Sequence, residues 1–496
     1  MQPQTRAEAT GYRETSLHHH VMEFLAAVDK RHLAVSSFGT SPGGRDLPLV
    51  VMSAHGVTTP DEARRAGLPI VLVINGIHAG EVEGKEASMM LMRDLADSEL
   101  LAHMTLVFVP LFNPDGNDAV DPANRKLNLP KLEGQIGPAL VGTRVNASGI
   151  NLNRDYMRQA SGEMRALQSR VAQVWQPDLT IDTHATNGSV HRMQMTYDVP
   201  HTIASGRAEP ILFMRERMMP AVQAALRGHD VIAGWYGNFV EDERALDARS
   251  DADPDAPVRE GWMTYTHHPR FGSNYRGLTS RLDLLLECYS YLEFPERVRT
   301  TYATLLEALR YVAANQDDVL QVVADSAAPR DEIAIRYQLD AFDAPITIPT
   351  RTPRTPDGAP SEVLVRHFGK FSGATTVTRP RAYVVPPELA AHLERHGLPT
   401  EPATGEHAVE VATVTGFGTE GGRKILESAS VGDLQVSWQR ATRTAPPGAQ
   451  LVRTDHRLGA IAVYLCEPQS DDSAIENGVI PAPEIGGEIG VWRVTE

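Results

Sequence analysis

Cysteine is nearly absent. The chain has two in 496 residues, Cys288 and Cys466, too few and too far apart for a disulfide framework or a thiolate metal centre. Both lie in apolar, strand-like runs and read as buried thiols. Any bound metal must therefore use histidine and carboxylate. Long hydrophobic runs are also missing: none reaches the roughly 18 residues of a membrane-crossing helix. Positive charge is in deficit, with 47 Lys and Arg against 63 Asp and Glu, a net −16, and no basic block. A nucleic-acid partner is therefore not expected. The opening Met-Gln-Pro-Gln-Thr-Arg-Ala-Glu lacks the apolar core of a signal peptide. The expectation is a soluble chain, cytoplasmic, or secreted or periplasmic if a leader has been removed.

What the chain does have is length and apolar content, 496 residues at 42% hydrophobic, enough for two cored domains. Its centre of gravity is Pro69-Ile-Val-Leu-Val-Ile-Asn-Gly-Ile-His78-Ala-Gly-Glu81. The unbroken apolar run 70–74, rich in β-branched residues, predicts a parallel strand buried on both faces. Asn75-Gly76 breaks it, and a helix is predicted over about 82–96. A strand end feeding a helix is where an open α/β sheet places its ligands. His78 and Glu81, three apart, can turn imidazole and carboxylate toward one point, as zinc ligands must. Taken alone, the pair describes equally well a helix-capping glutamate beside an incidental histidine.

The rest of the chain supplies what such a site lacks. Before the central strand, a helix is predicted from residue 18 to 31 and a hairpin over 33–53 around Ser41-Pro-Gly-Gly-Arg45. His18, His19 and His20 open that helix. Consecutive helical side chains point about 100° apart, so the three read as a solvated helix start rather than a metal site. A strand over 104–112 stops at Asn113-Pro-Asp-Gly116, and 117–147 reads as a long surface loop. Ser161 caps a helix to about residue 176. A strand then runs from 179 to His184, and another over 282–286 ends at Glu287. Further helices are predicted over about 207–227 and 295–314. Strand and helix alternate up to residue 314, which predicts an α/β fold with a mixed, mainly parallel sheet.

Past about 325 the texture becomes β-rich, with alternation at Ile333, Ile335, Tyr337 and Leu339 and short β-like runs at 382–385, 409–414, 434–438 and 461–465. Residues 350–360 are Pro-rich and linker-like, and 387–396 predicts one short helix. The expected division is 1–325 and 326–496, the second part of unknown role. Between 230 and 281 lie the acidic runs Glu241-Asp-Glu-Arg and Asp251-Ala-Asp-Pro-Asp, read as a solvated surface insertion.

Four strand ends thus carry chemistry: His78 with Glu81, Asn113-Pro-Asp-Gly, His184, and Glu287. Hydrolytic zinc takes three protein ligands and leaves one position for water. His78, Glu81 and His184 supply such a set, and Glu287 stands where a general base is needed. An oxyanion and a free carboxylate both call for arginine, which Arg144 and Arg154, at the end of the long loop, provide. Singly, these residues are also ordinary strand-end and loop groups.

Together they resemble the zinc carboxypeptidases of the M14 metallopeptidase family, over about residues 18–312. His78-Ala-Gly-Glu81 matches the family's His-x-x-Glu pair, and His184 in Ile-Asp-Thr-His-Ala-Thr its downstream ligand. Gly149-Ile-Asn-Leu-Asn153-Arg154-Asp155 is similar to its Gly-Val-Asp-Leu-Asn-Arg-Asn signature. The resemblance implies a zinc carboxypeptidase-like α/β fold with helices on both faces of the sheet, and one Zn2+ per chain. It also implies a peptide substrate with a free carboxylate. Asn153 and Arg154 would hold that carboxylate, Arg144 would polarise the scissile carbonyl, and Glu287 would be the base. The family's pocket tyrosine matches Tyr275 or Tyr265, of which Tyr275 is preferred. Two other readings remain: a zinc amidohydrolase acting on N-acyl amino acids, close to the aspartoacylases, and a silent peptide-binding protein on the same scaffold.

Overall fold

The computed structural model describes residues 2–186, 188–241, 260–418 and 433–495. Beyond Glu241, the acidic runs between 242 and 259 lie outside the described residues.

The apolar run after Pro69 forms the strand Ile70–Asn75, buried throughout. It sits inside an eight-stranded sheet. In spatial order the strands are Leu33–Thr40, Asp46–Met52, Thr105–Val109, Ile70–Asn75, Leu179–Thr186, Leu282–Tyr289, Met195–Asp198 and Ala233–Trp235. Four of the seven neighbouring pairs are parallel, including all three in the middle of the sheet. The fold is therefore the mixed, mainly parallel α/β expected. Chain order reverses beside Ile70–Asn75, whose neighbours are the next two parallel strands on opposite sides. That reversal opens a crevice at the strands' carboxyl ends.

Period-two alternation sorts the strand's side chains. Val71 and Val73 join one core cluster with Leu305 and Leu309 of the helix Phe294–Ala314 and Met89 and Leu91 of the helix Glu83–Asp94. Leu72 and Ile74 join another with Met164 and Leu167 of the helix Gly162–Leu167. That second cluster continues without a break into Leu389, Leu393, Ile461 and Tyr464, so the C-terminal residues pack on the sheet that carries the site.

Helix Glu83–Asp94 lies close against Leu179–Thr186. A Cβ on Gly84 would fall on Thr183 Oγ1. Gly84→Ala is therefore expected to lower the unfolding free energy by about 1–3 kcal/mol, overpacking outweighing the better helix propensity of alanine. Denaturant titration measures this, and an unchanged midpoint would contradict the close approach.

Two further sheets complete the chain. One joins Glu332–Ala341, Ala359–Thr378, Glu260–Met263 and Asn238–Glu241, with Ile346–Thr352 paired to Ala359–Thr378. The other has six strands, among them Ala382–Val385, Glu406–Gly418 and Glu488–Val494. The expected β-rich C-terminal region is present, with three local differences. The Pro-rich stretch read as a linker ends in strands on both sides, Ile346–Thr352 and Ala359–Thr378, and is the turn of a hairpin. The run 461–465 is part of a helix, Gly459–Cys466, buried along its whole length. An all-apolar run has no period to tell strand from buried helix. The strand bearing Glu287 continues to Tyr289 rather than stopping there. Among the described residues, no helix is long and apolar enough to cross a membrane.

Candidate active site and metal centre

The crevice holds the predicted donors. Gly76 turns the chain at φ +69°, in the left-handed region that suits glycine, just after the strand Ile70–Asn75. His78 and Glu81 come next in a tight turn, Glu81 N–H donating to His78 C=O at 3.0 Å. His184 comes from the neighbouring strand and pairs in register with Glu287 on the next, so both present the same end of the sheet.

The side chains converge. His184 Nδ1 lies 3.1 Å from His78 Nδ1 and 3.0 Å from Glu81 Oε2, and His78 Nδ1 lies 3.2 Å from Glu81 Oε1. A tetrahedral zinc with ligands at about 2.0–2.1 Å needs donors roughly 3.3 Å apart. Glu81 meets the two imidazoles with different oxygens, one ligand atom of each residue lies within 4.8 Å of the others, and all three residues are buried, a grouping that can close on such an ion.

The outer nitrogens are also held, as zinc-binding imidazoles usually are. His78 Nε2 is 3.1 Å from Asn151 Oδ1. His184 Nε2 is 3.2 Å from Asp182 Oδ1, a charge contact out of line for a hydrogen bond. Asp182 is itself 3.0 Å from the guanidinium of Arg276, which also grips Asp283.

Electrostatics points the same way. Burial opposes charge on His184, yet the Asp182 and Glu81 carboxylates overcome it and raise its pKa well above the ordinary value. Burial lowers His78 to about 3 despite Glu81. Glu81 stays well below the usual carboxylate range although burial acts against it, because His78 and Arg125 favour its charged form. A proton on His184 thus supplies the positive charge that the surrounding carboxylates demand, and a divalent cation would replace it.

Glu287 faces the same cavity of about 210 Å³. Burial lifts its carboxyl to about 8. Glu81 adds to the rise, while His184, Arg144 and Arg125 oppose it. A cation between the three donors acts further in the lowering direction.

Arg144, half exposed, reaches His78 Nδ1 at 3.1 Å and Glu81 Oε1 at 3.5 Å. Asn153 and Arg154 also line the cavity. The Arg154 guanidinium lies 3.5 Å over the Phe271 ring, and Asn153 Oδ1 accepts Gly272 N–H at 2.8 Å. Tyr275 does not join them. Its hydroxyl pairs with His396 Nδ1 at 2.8 Å and its ring packs in the core beside Tyr156. Tyr265 and Tyr236 line the cavity instead. Tyr275 stands within the helix Gly272–Leu278, where only the first turn faces the cavity.

Asn113-Pro-Asp-Gly is architectural. Asn113 caps its own turn, and Asp115 takes hydrogen bonds from Ser41 Oγ, Gly43 N and Arg45, locking the hairpin turn.

Three contributors carry little or no sequence signal. Asn151 and Asp182 each stand two residues before a predicted site residue, and on a strand a spacing of two shares a face, a usable signal for Asp182. Arg125 donates to Glu81 Oε1 at 3.0 Å and to Ser290 Oγ at 3.0 Å from an aperiodic loop that gives no signal.

A second group among the described residues, His267, His268 and Asp471, also brings donor atoms within 4.8 Å of one another. There the imidazoles stack at 22°, and His267 Nε2 is hydrogen-bonded to Asp471 at 2.6 Å. Stacked rings direct their in-plane lone pairs side by side, not to one centre.

Known proteins match the segment that carries these donors. A family model described as zinc carboxypeptidase matches residues 18–186. Carboxypeptidase 2 of Trichophyton rubrum is 22% identical over 483 residues, covering 92% of this chain and 81% of that protein. Carboxypeptidase 2 of Trichophyton tonsurans is 22% identical over 485 residues, with the same coverage. Among solved structures, a metallo-carboxypeptidase from Burkholderia cenocepacia aligns with TM-score 0.40 at 19% identity, over 60% of this chain and 69% of that one. His78, Glu81 and His184 all lie inside the matched segment, so the likeness to the zinc carboxypeptidases covers the metal donors themselves.

Proposed function

We propose that the chain is a zinc-dependent carboxypeptidase that removes C-terminal amino acids from peptides. The observation that carries this reading is the meeting of three metal donors with the Glu287 carboxylate and two arginines at one cavity, two of the donors on its wall.

His78, Glu81 and His184 would hold one Zn2+. Bound there, zinc supplies Lewis acidity, polarising a carbonyl and making water at its open side more acidic. The remaining roles fall to the chain's own residues. The carboxylate of Glu287 takes a proton from the attacking water and returns it to the departing amine nitrogen. The Arg144 guanidinium faces the oxyanion that develops on the scissile carbonyl. Arg154 and Asn153 receive the terminal carboxylate, which fixes the scissile bond against Glu287 and gives the specificity for chain ends. Tyr265 and Tyr236 close the side of the cavity and exclude water.

The test is incubation of the zinc-loaded chain with a mixed peptide library, with the products read by mass spectrometry. Stepwise loss of C-terminal residues is expected. Internal cuts, or hydrolysis confined to N-acyl amino acids, would refute the reading.

A further inference from the structure

Two stretches outside the His78–Glu81–His184 centre meet beside the cavity: the His267-His268 loop, and Asp471-Asp472 beyond the helix Gly459–Cys466. Asp472 is wholly buried, and Arg270 is 3% exposed. Asp472 Oδ2 accepts the main-chain N–H of Arg270 at 2.9 Å, and its Oδ1 lies 2.7 Å from the same residue's guanidinium. That guanidinium also donates to the Asp471 carbonyl at 2.9 Å. The Asp471 carboxylate binds His267 Nε2 at 2.6 Å. Adjacent carboxylates therefore hold one loop at two points, three residues apart.

Immediately after Arg270, the same loop becomes the wall of the cavity. Phe271 lies under the Arg154 guanidinium, and Gly272 N–H is bonded to Asn153 Oδ1. Both proposed carboxylate-holding residues thus rest on the residues next to Arg270. The 469–472 turn is anchored from behind: Gln469 C=O accepts Arg336 Nε at 2.7 Å, and Asp471 N–H donates to Ile335 C=O at 3.3 Å. A buried ion pair is a poor source of stability compared with well-packed apolar groups, but it fixes register where an apolar contact can slide. Binding groups must be held to about half an ångström to act in concert.

We propose that Asp472, assisted by Asp471, is a positioning residue for substrate binding. Through Arg270 it sets Phe271, and through Phe271 the guanidinium of Arg154, so the C-terminal β region governs how tightly the substrate's terminal carboxylate is held. This rests on the carboxypeptidase reading above.

The experiment is steady-state kinetics of the full, zinc-loaded chain on an N-blocked dipeptide with a free C-terminus. Asp472→Asn keeps the shape and removes the charge. KM is expected to rise about tenfold or more with kcat within threefold, the mark of lost ground-state binding. A merely structural fault lowers the fraction of active molecules, which reduces kcat and leaves KM where it was. That result overturns the proposal, as does a variant indistinguishable from the parent. If Asp472→Asn does not fold, Asp471→Asn decides: a KM raised about threefold supports the proposal, and an unmoved KM overturns it. A parent chain that trims no dipeptide overturns the carboxypeptidase reading and this inference with it. A parent that trims, with variants of unchanged KM, removes the inference alone.

Discussion

Replacing Glu287 by glutamine is expected to lower kcat about a thousandfold while the chain keeps its zinc and its fold. General acid–base catalysis contributes about 10²–10⁴ in rate, and an amide of the same shape can neither take nor return the proton. Two features make the loss large. Glu287 is half-buried on the wall of the cavity, and desolvation lifts its carboxyl to about 8, so few other groups stand ready to replace it. It is also in register with His184 on the adjacent strand, which fixes its position relative to the metal donors. KM should move little, because the carboxylate-holding residues are untouched. Kinetics alongside metal analysis measures the effect. Turnover within tenfold of the parent, with zinc retained, would remove Glu287 from the role of base.

Stripping zinc with a chelator is expected to abolish activity, and one equivalent of Zn2+ per chain to restore it. The metal-free site has three buried donors pointing at one another, balanced by a proton on His184 between Glu81 and Asp182. A proton satisfies the charge but provides no Lewis acid. The stripped chain should also melt earlier. A ligand present at a thousand times its dissociation constant adds about 4 kcal/mol, which for a chain of this length corresponds to roughly 4 °C. Activity that survives with less than about one-twentieth of an equivalent of metal would defeat the zinc reading.

The parts of this site readable from sequence are those whose chemistry is tied to local pattern. The β-branched run 70–74 predicts a doubly buried strand, and the structure has it. The residues at the ends of such strands are the natural candidates, and His78, Glu81, His184 and Glu287 do converge. Long-range pairings are not readable. Arg125 reaches Glu81 from a loop without periodicity, and nothing in its neighbourhood marks it. Tyr275, preferred over Tyr265 as the pocket tyrosine, sits on a helix that turns its ring into the core toward His396. The run 461–465 looks like a strand because β-branched apolar residues suit a buried helix equally well once tertiary packing decides. In each case the missing information is the identity of a partner remote in the chain.

The continuous core that links Leu72 and Ile74 to Ile461 and Tyr464 has a consequence for biosynthesis. A ribosome delivers the central strand early and the helix Gly459–Cys466 late. One face of the sheet therefore waits uncovered until that helix has been made. The nascent chain cannot complete this core, or the crevice that the sheet carries, before the helix Gly459–Cys466 has emerged.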